Sequence, residues 1–265
     1  MNKSKNILDF YIKCNDRKYN IVKEKEKRNI SEAEKVILEC ILAYGLCSEY
    51  DLEFDLNKVI KMLFAKSFEK DVMLLTKKEY YLDLIEEYDK NLTLESEVAR
   101  MVREYATNID GIEFDEKEVP KLYQKYENLR NIELNDQERP ESVLEHIYGT
   151  CLLAIGLDSE FSYYVDFDTV INKVIVNNLT KFDEKAFDNL YMKTYFKSFT
   201  NNIRSIEHSY ATLCDQLEYS LQVKMNEIRG YEQDKNVFEE QYNKERDCFT
   251  SFPCLKRILE EIKEI

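Results

Sequence analysis

At 265 residues, with a formal charge of -14 and 44% hydrophobic residues, the chain is too apolar to be disordered and too acidic to favour phosphate backbones. Nucleic acid is not an expected partner, although a local basic patch is compatible with that charge. Only five Gly and three Pro punctuate the sequence, so it should form long helices in an all-α fold of two domains of about 100–150 residues.

The first residues, Met1-Asn-Lys-Ser-Lys-Asn-Ile-Leu-Asp-Phe10, lack the apolar run of a signal peptide, and no later stretch reaches the roughly 18 apolar residues of a membrane span. A cytoplasmic protein with no membrane association is expected. Ser31-Glu-Ala-Glu34 forms a capping box that starts a helix through Val36, Cys40 and Ala43. A second helix is predicted at about 55–69 and another at about 93–108, with a domain boundary near Pro120, which separates 1–120 from 121–265. In the second half, Pro140-Glu-Ser-Val places a helix start before Val143, Ile147, Cys151 and Ala154; further helices are predicted at about 166–180 and 203–228 and after Pro253. The seven cysteines are scattered and form no CxxC pair, so they read as free thiols of a reducing compartment, with Cys40, Cys151 and Cys214 as small core residues.

The two halves repeat each other. Cys40-Ile-Leu-Ala-Tyr-Gly-Leu-Cys-Ser-Glu-Tyr50 returns 111 residues later as Cys151-Leu-Leu-Ala-Ile-Gly-Leu-Asp-Ser-Glu-Phe161, with seven of eleven positions identical. The match runs without a gap through Asp55/Asp166, Val59/Val170 and Ile60/Ile171, which indicates a duplicated domain. Leu42, Leu46, Leu153 and Leu157 should then occupy equivalent core positions.

Arg139-Pro-Glu-Ser-Val-Leu-Glu-His146, then Val165-Asp-Phe-Asp-Thr-Val170, then Ala211-Thr-Leu-Cys-Asp215-Gln-Leu-Glu218-Tyr-Ser-Leu-Gln222 together resemble the HD-domain phosphohydrolases, in particular the 5′-deoxynucleotidase-like branch. The ending Phe252-Pro-Cys-Leu-Lys-Arg-Ile-Leu-Glu-Glu-Ile262 is similar to that branch too. The resemblance covers about 125–265 and, through the duplication, about 15–110. It implies two tandem HD-like helical bundles. In such proteins a His, a His-Asp dipeptide and a later Asp converge on a divalent metal such as Mn, Co or Mg, which lowers the pKa of bound water and neutralises phosphoryl charge.

On that pattern His146 matches the first ligand and Asp215 the last, but the dipeptide position holds Asn177-Asn178. An amide oxygen replaces imidazole or carboxylate poorly at a transition metal. Acids expected three and eight residues after the dipeptide are Lys181 and Ala186 instead. In the first copy Lys35 stands opposite His146, Lys66 and Ser67 opposite Asn177 and Asn178, and Glu104 opposite Asp215. Two lysines oppose a cation and would favour an anion, unless they simply reach solvent. No metal or other cofactor is therefore expected in either copy.

Each polar candidate also has a plainer role. His146 without partners is a hydrogen-bonded helix residue, and Asn177 and Asn178 would support the pocket through amide hydrogen bonds. Arg130 matches a phosphate-contacting arginine of the family but is equally a surface residue. His208 lies two turns before Asp215, about 10 Å away, too far to share one metal ion readily. The leading expectation is a non-catalytic HD-like protein that binds a partner protein or a small anionic ligand, with an oligomer compatible with either. The alternatives are an altered nucleotide phosphohydrolase using His146, Asp215, Arg130 and a carboxylate or imidazole among Glu207, Glu218 and His208, or an anion or nucleotide sensor.

Overall fold

In a computed structural model, which describes residues 2–23, 30–50, 54–108, 141–161, 165–182, 205–231 and 235–265, nearly every described residue outside the turns is helical. The helices are α1 (Lys3–Asn15), α2 (Glu32–Tyr50), α3 (Leu56–Ser67), α4 (Lys78–Lys90) and α5 (Leu94–Asn108), followed by α6 (Val143–Phe161), α7 (Phe167–Phe182), α8 (Ile206–Ile228), α9 (Lys235–Glu245) and α10 (Pro253–Glu264). An antiparallel hairpin of β1 (Ile21–Lys23) and β2 (Ile30–Ser31) is the one described sheet. The fold is all-α apart from that hairpin.

The same local chemistry starts the two central helices. At α2 the Ser31 amide donates to Glu34 Oε2 at 2.9 Å and the Glu34 amide donates to Ser31 Oγ at 3.2 Å. At α6 the Ser142 amide donates to Glu145 Oε2 and the Glu145 amide to Ser142 Oγ, both at 3.2 Å. Both starts are capping boxes, which satisfy amides that the first helical turn leaves free. The second box, Ser142-Val-Leu-Glu145, has the spacing of the first and starts the helix two residues after Pro140. The hydroxyl of Ser142 also donates to Glu34 Oε1 at 2.7 Å, so the two caps touch.

α2 and α6 lie against each other in one continuous apolar cluster that draws on both halves. α3 and α5 pack on α2 as α7 and α8 pack on α6. Shifting by 111 carries the bounds of α2 onto those of α6, and the start of α3 onto that of α7. Contacts across the halves also exchange: Asn172 Nδ2 donates to Asn57 Oδ1 at 2.7 Å, while Lys61 pairs with Asp168 at 2.8 Å. Because 57 and 61 correspond to 168 and 172, the two contacts swap roles as they would across a two-fold axis.

Leu42, Leu153 and Leu157 are buried in that cluster, as are Cys40, Cys151 and Cys214; Leu46 is only half-buried at its edge. The boundary placed near Pro120 lies outside the described residues. Two features break the symmetry: α1 packs on α6 and α10, and its last residues lead into a 3-10 turn at Asp16–Lys18. α4 and α9 escaped the sequence reading because few of their residues are apolar and buried, α4 burying only Tyr81, Leu84 and Ile85; α1 escaped it too, although it buries Ile7, Leu8, Phe10, Tyr11 and Cys14. No described helix is long and apolar enough to cross a membrane.

Candidate functional site

His146 sits in the first turn of α6, and α8 brings Asp215 and Glu218, three residues apart and so on one face, against it. The imidazole is clamped from both sides: Nε2 lies 2.8 Å from Asp215 Oδ1 and Nδ1 lies 2.5 Å from Glu218 Oε2. Glu141, in the turn before α6, brings its Oε2 to 3.5 Å from Nδ1. An imidazole whose two nitrogens both face carboxylates must donate from both, and only the imidazolium can. Burial opposes that charge, but Glu218, Asp215 and Glu141 together raise the pKa of His146 well above the ordinary histidine value.

The remaining member comes from the other end of the chain. Lys18, in the turn after α1, is fully buried and donates to Glu141 Oε1, to Glu218 Oε1 at 2.5 Å and to Gln222 Oε1 at 3.3 Å. Tyr11 OH, from α1, donates to the same Glu218 oxygen at 2.8 Å. Gly149 makes the approach feasible, since a Cβ there would stand 2.4 Å from Glu218 Oε1 and 2.8 Å from Lys18 Nζ. Both atoms are held in buried ion pairs and could not move aside cheaply.

The charges sort themselves accordingly. Burial pushes the Glu218 carboxyl up, but Lys18 and His146 outweigh it and hold the group down at about 2. Glu141 goes the other way: its burial and the nearby charge of Glu218 raise it despite Lys18. Burial disfavours the Lys18 ammonium, yet the two carboxylates keep its pKa above the ordinary lysine value. Asp215, also penalised by burial, is lowered by His146, Asn178 and Lys181.

Of the residues singled out in the sequence, His146, Asn178 and Asp215 do come together: Asn178 Nδ2 donates to Asp215 Oδ1 at 2.9 Å and to the Val174 carbonyl at 3.1 Å. Asn177 lines, with Asn178, Lys181, Thr212 and Asp215, an open cleft of about 80 Å³ above the cluster. Glu218, named among three candidate extra ligands, reaches His146. Glu207 and His208 instead lie at the start of α8 in the field of Lys173, and burial followed by that lysine lowers the pKa of His208. Arg130 and Ala186 lie outside the described residues.

The corresponding positions of the first half are filled differently. Lys35 Nζ donates to Thr107 Oγ1 at 2.9 Å. Lys66 pairs with Glu69 at 2.7 Å and Asp89 at 2.9 Å, which leaves it a poor anion ligand. Ser67 Oγ bonds the Phe64 carbonyl and meets Tyr148 OH at 3.2 Å, and Glu104 is exposed.

Sequence reasoning missed Lys18, Tyr11, Glu141 and Gly149. Glu141 and Glu218 stood inside quoted motifs and could have been paired with His146. Nothing in the sequence marks Lys18, which is 200 positions from Glu218. Comparison of the chain with protein-family models, curated proteins and solved structures returns no match.

The arrangement does not suit the metal that the HD resemblance implies. Its second and third ligand positions hold the amides Asn177 and Asn178, poor substitutes for imidazole and carboxylate, so His146 Nε2 and Asp215 Oδ1, 2.8 Å apart, make only half of a coordination shell. The Asp215 oxygen that would bind the ion accepts from His146 and from Asn178.

Proposed function

We propose that the chain is a non-catalytic protein of the HD-domain type, a tandem pair of such helical units that acts in the cytoplasm by binding a partner protein or a small ligand. The single observation that supports this reading most is that Asn178, with Asn177 beside it, stands against the His146–Asp215 pair where a site of this type would place imidazole and carboxylate. An amide oxygen replaces neither group well at a transition metal, which leaves the paired His146 and Asp215 as half of a coordination shell. Asn178, donating to Asp215, acts as a support of that ion pair. The cleft lined by Asn177, Lys181 and Thr212 lies beside it and offers amide, ammonium and hydroxyl groups to a small anion.

The test is direct. Protein purified without chelator is assayed for bound metal, and for phosphate release from deoxynucleoside monophosphates with manganese, cobalt or magnesium added. The expected result is no stoichiometric metal and no turnover, with His146→Ala leaving that assay unchanged. Stoichiometric metal, or phosphate release lost in His146→Ala, would replace this reading with the hydrolase.

A further inference from the structure

The oxygens around Lys18 are arranged as a cation site. Glu141, Glu218 and His146 Nδ1 place one ligand atom each within 4.8 Å of one another, all three residues being buried. Between the two carboxylates lies the Lys18 ammonium, bound to one oxygen of each. Two further observations point to an ion. Glu141 Oε2 is buried with no hydrogen-bond partner, although it lies 3.5 Å from His146 Nδ1. And the space exists only because residue 149 lacks a Cβ.

We propose that Glu141, Glu218 and His146 Nδ1 form a divalent transition-metal centre whose cation the native chain supplies as Lys18, and that a metal ion takes the place of the ammonium once Lys18 is removed. This rests on the reading that native His146 binds no metal. On metal binding, His146 would release its Nδ1 proton to solvent and keep its Nε2 proton on Asp215, the carboxylate–histidine–metal arrangement that orients such ligands. One imidazole with two carboxylates suits zinc better than magnesium, which prefers an all-oxygen shell. The centre is separate from the Asn177/Asn178 position of the implied HD site, because it uses the opposite ring nitrogen.

The experiment uses full-length Lys18→Met, which keeps the apolar stem, is one atom shorter and so leaves the place of the ammonium open. After exposure to zinc chloride and desalting, about one zinc per chain is expected in the variant and none in the native protein. At roughly a hundredfold excess over Kd, zinc should raise the variant's thermal midpoint by about 5–10 °C. Lys18→Met with Glu141→Gln, in which Glu218 is the one carboxylate left at Nδ1 of His146, should fold without metal and show no zinc response. If Lys18→Met folds only on refolding with zinc, the proposal stands. It is overturned if that variant retains no zinc, if zinc fails to rescue its folding while the double variant folds, or if the double variant binds zinc equally well. Zinc already stoichiometric in the native protein would instead sink the non-catalytic reading beneath it.

Discussion

Lys35 and His146 stand one turn into corresponding helices, yet Lys35 reaches outward to Thr107 while His146 is enclosed by Asp215, Glu218 and Glu141. The first half has a buried acid of its own in Glu39, whose two oxygens take Arg103 Nε at 3.2 and 3.3 Å. The Arg103 side chain is 25% exposed, so that pair still borders water. In the second half the core of the network, Lys18, Glu141 and Glu218, is fully buried, while Asp215 at its edge faces the cleft; the residue that completes that core is Lys18, which follows α1, a helix packed on α6 and α10. Matching helix frames thus hold an ion pair bordered by water in one place and, in the other, a cluster whose Lys18–Glu141–Glu218 core is sealed. A repeat in sequence constrains where helices start and which faces are apolar; it does not carry over the polar filling, which depends on what else packs there.

This contrast sets the largest expected effect. Glu218→Ala strands Lys18 and His146 with Glu141 as their main buried counter-charge and should cost about 3–5 kcal/mol, the usual result of halving a buried ion pair. Arg103→Ala should cost about 1–3 kcal/mol, because Glu39 keeps Lys35 at 3.9 Å and can be reached by water through the gap. Urea unfolding of the two variants measures the difference. Equal losses would mean that the second network is no more closed than the first pair.

The apolar half of the comparison is smaller. Leu157 is fully buried and its counterpart Leu46 only half-buried. Leu157→Ala should therefore cost about 2–4 kcal/mol and Leu46→Ala about 1 kcal/mol, the gap reflecting burial and the cavity left behind. Thermal midpoints that fall equally in both variants would show that the edge of α2 is as well packed as the centre of α6.

What could be read from the sequence follows the same division. Helix positions at 32–50, 143–161, 56–67, 167–182, 94–108 and 206–228 were close to legible, since caps and helical apolar spacing are local signals. So was the meeting of His146, Asn178 and Asp215. α1 was not, because its buried residues Ile7, Leu8, Phe10, Tyr11 and Cys14 are interspersed with polar ones and its main helix partners, α6 and α10, are more than a hundred residues away. With α1 unseen, Lys18 could not be placed, and without Lys18 the carboxylates Glu141 and Glu218 had no reason to be buried. The first-copy lysines, read as repelling a cation, are better described by the acids that hold them.

The last expected effect is a difference in sign with pH. Glu218 titrates at about 2 when folded, below its ordinary value of 4.5, because Lys18 and His146 overcome its burial. An acid with a depressed folded pKa stabilises the protein above its ordinary value, and that contribution is lost as pH falls through the folded one. Glu39 is the opposite case: burial outweighs Arg103 and Lys35, so its folded pKa is raised. The folded state then binds that proton more tightly than the unfolded chain, and ionised Glu39 costs stability as pH rises past about 4.5. Each group can change stability by at most about 1.4 kcal/mol per pH unit. Urea midpoints for the native protein, Glu218→Gln and Glu39→Gln between pH 3 and 7 separate them. On acidification the advantage of the native protein over Glu218→Gln should shrink, whereas its standing relative to Glu39→Gln should improve. If both differences move in the same direction, the two halves hold their buried acids by the same balance of charges and the contrast between a bordered pair and a sealed network fails.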